Sequence, residues 1–227
     1  MRETLVKTLL ATAIAVGSAS IGTAAAGPEH DHSHGEKAKE AAKATVGEKA
    51  PDFTLTDTEG KEHHLADYLK AGKVVILEWF NPDCPFVKKH HMNSRSMAET
   101  YATAQENGAV WLAINSGGPG MQGSGVEHNR KAIKDYEITY PVLLDESGEV
   151  GKMYGAKTTP HMFLIDKTGT LLYAGAIDNV PNPNELGDVN YVRAALGACM
   201  AGKPLETAET KSYGCSVKYA KPEKTSD

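Results

Sequence analysis

The stretch "ILEWFNPDCPFVKKHH" places one of the chain's three cysteines, Cys84, between an apolar run and a helix start. Pro85 stands where proline suits a helix best, in its first turn. Cys84 is then at or beside the N-cap, where free amides and the helix dipole favour an anion. Cysteines at helix N-termini titrate below the free-thiol value of about 8.5. The position therefore suits a thiolate, acting as a nucleophile or a soft metal ligand. The plainer reading is a buried structural cysteine. It is disfavoured because strand-to-helix loops open at the carboxyl edge of a sheet.

The partner thiol is open between two arrangements. "SYGCSVKY" carries Cys215 in a glycine-led segment beyond the last expected helix. Its alternation reads as a small strand or a docked tail. Such a tail can swing to Cys84 and resolve it by thiol exchange. Cys199 instead continues an apolar stripe of Leu186, Val189, Val192, Ala195 and Leu196, which marks it as core. The other arrangement is a static Cys199–Cys215 bridge with Cys84 left free as the odd thiol.

"KTTPHMFLID" leads into an apolar strand. Pro160 cannot donate to a sheet ladder, so it belongs at the strand start. Composition alone favours an ordinary trans bond before it. His161 and Lys88 are candidate electrostatic tuners of the site. Nine histidines are many for this length. His30, His32 and His34 alternate in a polar stretch that is either a solvated linker or a weak metal-capturing arm. His90 and His91 lie almost two helical turns from Cys84, about 9–10 Å of rise, too far to share one metal with it. No resident metal or cofactor is expected.

The elements that must position these groups alternate along the chain. "DFTLTD" is a strand, "LADYLKAG" a short helix and "VVILEWF" a buried strand. A helix is expected from Pro85 to Gln105, then a strand at "AVWLAINS", a helix at "GVEHNRKAIKDYEI" and a strand at "YPVLLDE". A hairpin turning at "DKTG" and a last helix over 184–202 complete the pattern. Strand–helix alternation followed by a hairpin and helix implies an α/β fold, a central mixed β-sheet flanked by helices.

The chain has 227 residues, 41% of them hydrophobic, enough for one domain with a full core. Net charge is -5, with no concentrated basic patch, which argues against a nucleic-acid partner. "MRETLVK", a short apolar run and "TAAAG" read as a secretory signal cleaved after Ala26. The run is too short and weakly apolar to anchor stably. The expected organisation is a signal at 1–26, a His-containing flexible linker at 27–47, the domain at 48–204 and a C-terminal extension at 205–227 carrying Cys215. The mature protein is expected in a periplasm, without a transmembrane segment, where disulfides persist.

A strand ending in Trp79, then Cys84-Pro85, a helix and Thr159-Pro160 before a hairpin resembles the thioredoxin superfamily. "GEKAPDFTLTDTEGKEHHLADY" and "YPVLLDESGEVGKMYGAKTTPHMFLIDKTGTLLYAG" are similar to its redoxin and alkyl hydroperoxide reductase branch. The likeness covers roughly residues 46–180. It implies a thioredoxin-like fold, a cis bond before Pro160 and a Thr159 that faces Cys84. Thioredoxins carry Cys-x-x-Cys, and here Val87 takes the second position. Typical peroxiredoxins carry Thr-x-x-Cys, and here Pro85 and Lys88 stand in its place. The chain is most similar to the peroxiredoxin-like group with a single "CPFV" cysteine and a "GCSVK" C-terminal segment. The resemblance implies an oxidoreductase acting on a protein or small-molecule disulfide, or on a peroxide, and reset by an external thiol reductant. Copper chaperones of the Sco type share the fold and form the alternative. They carry Cys-x-x-x-Cys, whose second position is Lys88 here.

Overall fold

The computed structural model describes residues 43–221. The expected signal, most of the expected linker with His30, His32 and His34, and residues 222–227 lie outside the described residues.

The elements follow in the order β1 (Thr54–Asp57), β2 (Glu62–His64), α1 (Leu65–Lys70), β3 (Val75–Trp79), α2 (Pro85–Lys88), a π-helical turn (Lys89–Asn93), α3 (Ser96–Glu106) and β4 (Val110–Asn115). Then come α4 (Val126–Asp135), β5 (Val142–Leu144), α5 (Glu149–Met153), β6 (Thr158–Thr159), β7 (Met162–Ile165), β8 (Leu171–Gly175), α6 (Tyr191–Met200) and β9 (Cys215–Ser216). Seven strands form one mixed sheet in the order β2-β1-β5-β4-β3-β7-β8. β3 runs parallel to β4 and antiparallel to β7. The fold is thioredoxin-like, a mixed sheet with helices on both faces.

Every residue of β3 is buried. Its neighbours on both sides and the helices on both faces leave no exposed side, which is why "VILEW" lacks polar alternation. Ile76 faces a cluster with Phe80, Cys84, Val87, Met97, Met162, Leu164, Val192 and Leu196. Val75, Leu77 and Trp79 face the other, with Phe53, Leu65, Phe163, Ile165 and Tyr154. Glu78 points into the first face, wholly buried. It accepts from the Trp111 indole at 3.1 Å and the Tyr140 hydroxyl at 3.0 Å, and pairs with His91 at 2.7 Å. Three partners satisfy a carboxylate that burial alone would make costly.

Two elements differ from the sequence expectation. The helix expected over Pro85–Gln105 is broken. After α2 the chain widens into the π-helical turn, Ser94 caps the Lys89 carbonyl through its hydroxyl at 2.7 Å, and Arg95 takes a left-handed φ of 56° before α3 starts. No proline or glycine marks this break. The extra residue in the turn brings Lys89, His90 and His91 inward together, which a regular helix could not do. The last helix starts at Tyr191 rather than at 184, because the Asn190 side chain caps it by accepting from the Arg193 amide at 2.9 Å. Leu186 and Val189 are consequently exposed, not part of an apolar stripe.

Ala44 and Val46, within the expected linker, already pack against the second face. At the other end, residues 208–220 run back over the domain. The Ala208 carbonyl accepts from the Ala174 amide at 3.1 Å, and the Lys218 carbonyl from the Gly118 amide at 2.9 Å. No helix among the described residues is long and apolar enough to cross a membrane.

Candidate active site

Cys84 is the N-cap of α2, at the carboxyl end of β3, and is 1% exposed. Its loop is held by Asn81, whose side-chain oxygen accepts from the Asp83 amide at 2.8 Å and whose backbone carbonyl accepts from the Cys84 amide at 3.1 Å. Asp83 is in turn paired with His128 at 2.9 Å on the surface. Tyr136 lies beneath. Its hydroxyl is pushed up to about 12, first by burial and then by Asp83, Asp135 and Cys84.

The Cys84 thiol donates to the Thr159 carbonyl at 2.9 Å. The Thr159–Pro160 bond is cis. The Thr159 hydroxyl is buried without a partner among the described residues. β6 pairs antiparallel with β9 in a separate two-stranded ladder, and the residue opposite Thr159 is Cys215. Thr159, Pro160, Cys84 and Cys215 thus come together, with Cys84 and Cys215 both against the Thr159 backbone. The ladder register puts Cys215 beside the carbonyl that holds the Cys84 thiol. The Cys215 thiol is pushed up to about 12, first by burial and then by the hydrogen bond and charge of Cys84, against a small opposing pull from Lys218.

Cys199 belongs elsewhere. β7 is antiparallel to β3 with Ile165 opposite Val75, so Asp166 marks the end of the sheet where β3 begins. Cys199 lines a surface depression there with Val74, Asp166 and Lys167. Burial, then Asp166, raises its thiol. Cys215 is beyond the opposite end of β3. All three cysteines are free thiols, and Cys199 and Cys215, the other pairing held open by the sequence, lie toward opposite ends of β3.

Neither proposed tuner reaches the sulfur as expected. Lys88 is exposed. His161 faces the second core, its ring 4.4 Å from Phe163, because strand alternation from Met162 onward turns it away from the Cys84 face. Burial, then Lys157, pushes its imidazole down to about 4.

Of the buried polar groups on the Cys84 face, the sequence reading weighed His90 only as a metal ligand and did not single out Lys89, Asp178 or Tyr213. Lys89, 1% exposed, reaches Asp178 at 3.1 Å, the Val180 carbonyl at 2.7 Å and the Tyr213 hydroxyl at 3.2 Å. Burial alone would raise Asp178. Bonds from Tyr213, the Gly187 and Val180 amides and Lys89 overcome this and hold its carboxyl below the usual value. His90 bridges Ser96 at 2.8 Å and Tyr213 at 3.1 Å. The available signal was the alternation of "SYGCSVKY", which puts Tyr213 and Cys215 on one side of an extended segment.

The AhpC/TSA family model matches residues 46–174, more than half of the chain, and the chain belongs to that family. Among curated relatives, thiol-disulfide oxidoreductase ResA of Geobacillus thermodenitrificans is 38% identical over 124 residues, which is 55% of this chain and 65% of that protein. A solved hypothetical protein from Sinorhizobium meliloti 1021 is 31% identical with a TM-score of 0.69, covering 79% of this chain and 97% of that one. A thiol:disulfide interchange protein DsbE structure from Chlorobium tepidum shares the fold, with a TM-score of 0.51 at 24% identity over 70% of this chain and 98% of that one. The copper-chaperone alternative finds no support in these matches. Among the described residues, no three His, Cys, Asp or Glu side chains gather as a metal-holding group.

Proposed function

We propose that this protein is an exported thiol-disulfide oxidoreductase in which Cys84 is the nucleophile and Cys215 resolves it. The observation that carries the reading is the register of β6 on β9, which sets Cys215 opposite the Thr159 whose carbonyl holds the Cys84 thiol. Export is read from the N-terminal signal pattern, and the periplasm is the compartment it implies.

In the forward half-reaction the Cys84 thiolate attacks one sulfur of a substrate disulfide. A Cys84–substrate bond forms, the substrate S–S bond breaks, and the departing thiolate takes up a proton. Cys84 no longer carries charge in this mixed disulfide. Cys215 gives its proton to the second departing thiolate and attacks the Cys84 sulfur. The products are two substrate thiols and a Cys84–Cys215 disulfide, a transfer of two electrons. An external thiol reductant resets the pair by the reverse exchange. Thr159 and Pro160 form the wall against which both sulfurs are aligned.

Peroxide is a second substrate class, favoured by the burial of Cys84, which admits small molecules more readily than large ones. The thiolate takes one peroxide oxygen to become a sulfenic acid and the other leaves as water after protonation. Cys215 then displaces a second water to give the same disulfide.

The test is turnover of a model disulfide and of hydrogen peroxide, with peptide mapping under thiol-blocking conditions. Cys84→Ser is expected to abolish both activities. Cys215→Ser is expected to stop after one half-reaction and to accumulate the mixed disulfide or sulfenic acid on Cys84. A Cys84→Ser chain that turns over at the parent rate refutes the mechanism.

A further inference from the structure

The segment that brings Cys215 to Cys84 also covers it. Its backbone hold is slight: a two-residue ladder, the Val217 amide on the Lys157 carbonyl at 3.2 Å, and the Lys218 carbonyl on Gly118. Side chains anchor it on either side of Cys215. Beyond Cys215, the Tyr219 hydroxyl donates to the Ala156 carbonyl at 2.7 Å. Its ring lies so close over Gly151 that a Cβ there would come within 2.7 Å of it. Before Cys215, Tyr213 inserts its hydroxyl into the Lys89–Asp178–His90 cluster. It donates to Asp178 and meets Lys89 at 3.2 Å and His90 at 3.1 Å. Its ring packs edge-on against Phe86, two residues after Cys84, with centroids 5.7 Å apart.

The cluster beneath Tyr213 is built so that the tyrosine can leave. Lys89 and Asp178 compensate each other's charge, and the Val180 carbonyl and the Gly187 and Val180 amides stay bonded to them without the phenol. Departure of Tyr213 costs its charge-assisted hydrogen bonds to Asp178 and Lys89, which water can replace, and does not strand a buried charge. A water in its place would meet the same three groups.

We propose that Tyr213 is a specificity-determining positioning residue: its bond to the buried Lys89–Asp178–His90 cluster latches the 213–220 strap over Cys84 and so restricts the size of the molecule that reaches the sulfur. Latched, the site admits small oxidants. A bulky disulfide reaches Cys84 only when the strap lifts, and the latch sets how often it does. The inference rests on Cys84 being the reacting thiol.

The experiment uses the full chain carrying Cys199→Ser and Cys215→Ser, so that Cys84 alone reacts. Its rates with iodoacetamide, a small reagent, and with dithiobis(nitrobenzoic acid), a bulky aromatic disulfide, are compared with and without Tyr213→Phe. The bulky-disulfide rate is expected to rise about ten-fold or more, the order set by losing one charge-assisted hydrogen bond, while the iodoacetamide rate stays nearly constant. Equal changes in both rates, or no change in either, overturn the proposal. Tyr219→Phe, which frees the strap from its other end, is the second variant if Tyr213→Phe does not fold, and the same size-selective rise or its absence decides there. Failure of the oxidoreductase reading shows separately, as a Cys215 that never bonds Cys84 in a Cys199→Ser chain exposed to peroxide or disulfide. The ratio of the two rates is measured without Cys215 and does not depend on that result.

Discussion

Gly214 is the point where adding one carbon separates the two thiols. Its φ of +133° lies in a region that side-chain-bearing residues rarely adopt, and an added Cβ would stand 2.1 Å from the Thr159 oxygen and 2.8 Å from its carbonyl carbon. That oxygen is the one that accepts from Cys84. In Gly214→Ala the strap must retreat by about 1 Å to restore an ordinary contact, or hold its place under backbone strain of about 1–3 kcal/mol. Either way the cost falls on the closed arrangement that brings Cys215 to Cys84. At 1.36 kcal/mol per factor of ten, the effective concentration of Cys215 at Cys84 should drop about 5- to 150-fold. The strap carries little of the core, so global unfolding of the reduced chain should change by less than about 1 kcal/mol. The assay is the Cys84–Cys215 disulfide population at equilibrium with reduced and oxidised glutathione, read by thiol blocking and peptide mapping, with urea unfolding as the control. An effective concentration within about two-fold of the parent would refute the close packing argued here. A loss of several kcal/mol of global stability would show that the strap belongs to the cooperative core after all.

Acid should destabilise the domain before carboxylates titrate in bulk. His90 and His161 are both pushed down to about 4 from the ordinary 6.5, chiefly by burial. The unfolded chain therefore takes up protons first as pH falls, and stability is lost between about pH 6.5 and 4, on the order of 3 kcal/mol for each histidine when complete. Urea unfolding at pH 7 and pH 5 checks this, and equal midpoints would contradict it. Glu78→Ala strips His91, Trp111 and Tyr140 of their shared acceptor and should cost on the order of 3–5 kcal/mol. Glu78→Gln keeps an acceptor and should cost less than half of that in the same measurement.

The fold was legible because its signals are local. The unbroken apolar run of β3 requires cover on both faces, and Pro85 following Cys84 fixes a helix start at the strand's end. Pro160 cannot be a ladder donor, so it had to open a strand. Strand–helix order then constrains the sheet, and the residues quoted from both halves carry the family. The break between α2 and α3 was not legible, since neither Ser94 nor Arg95 is a strong breaker and the side chains of the π-helical turn bond to groups far along the chain. The same is true of the buried cation. Lys88 and Lys89 are neighbours of identical type, yet at the junction of α2 and the wider π-helical turn Lys89 points inward to Asp178 while Lys88 stays exposed.

By itself, the sequence determined which atoms are available: one cysteine at a helix N-cap, a Thr-Pro pair before a strand, and a glycine-led tail with a second thiol. It left Cys199 and Cys215 as competing partners. Only the tertiary structure sets which of them lies near Cys84, because α6 ends at the edge where β3 begins, while the tail returns to the edge where β3 ends and pairs there with β6. Local propensity fixes what a segment can become. Which distant segments meet depends on chain reversals and on buried polar groups finding partners, and Lys89, Asp178 and Tyr213 satisfy one another across 124 residues of sequence.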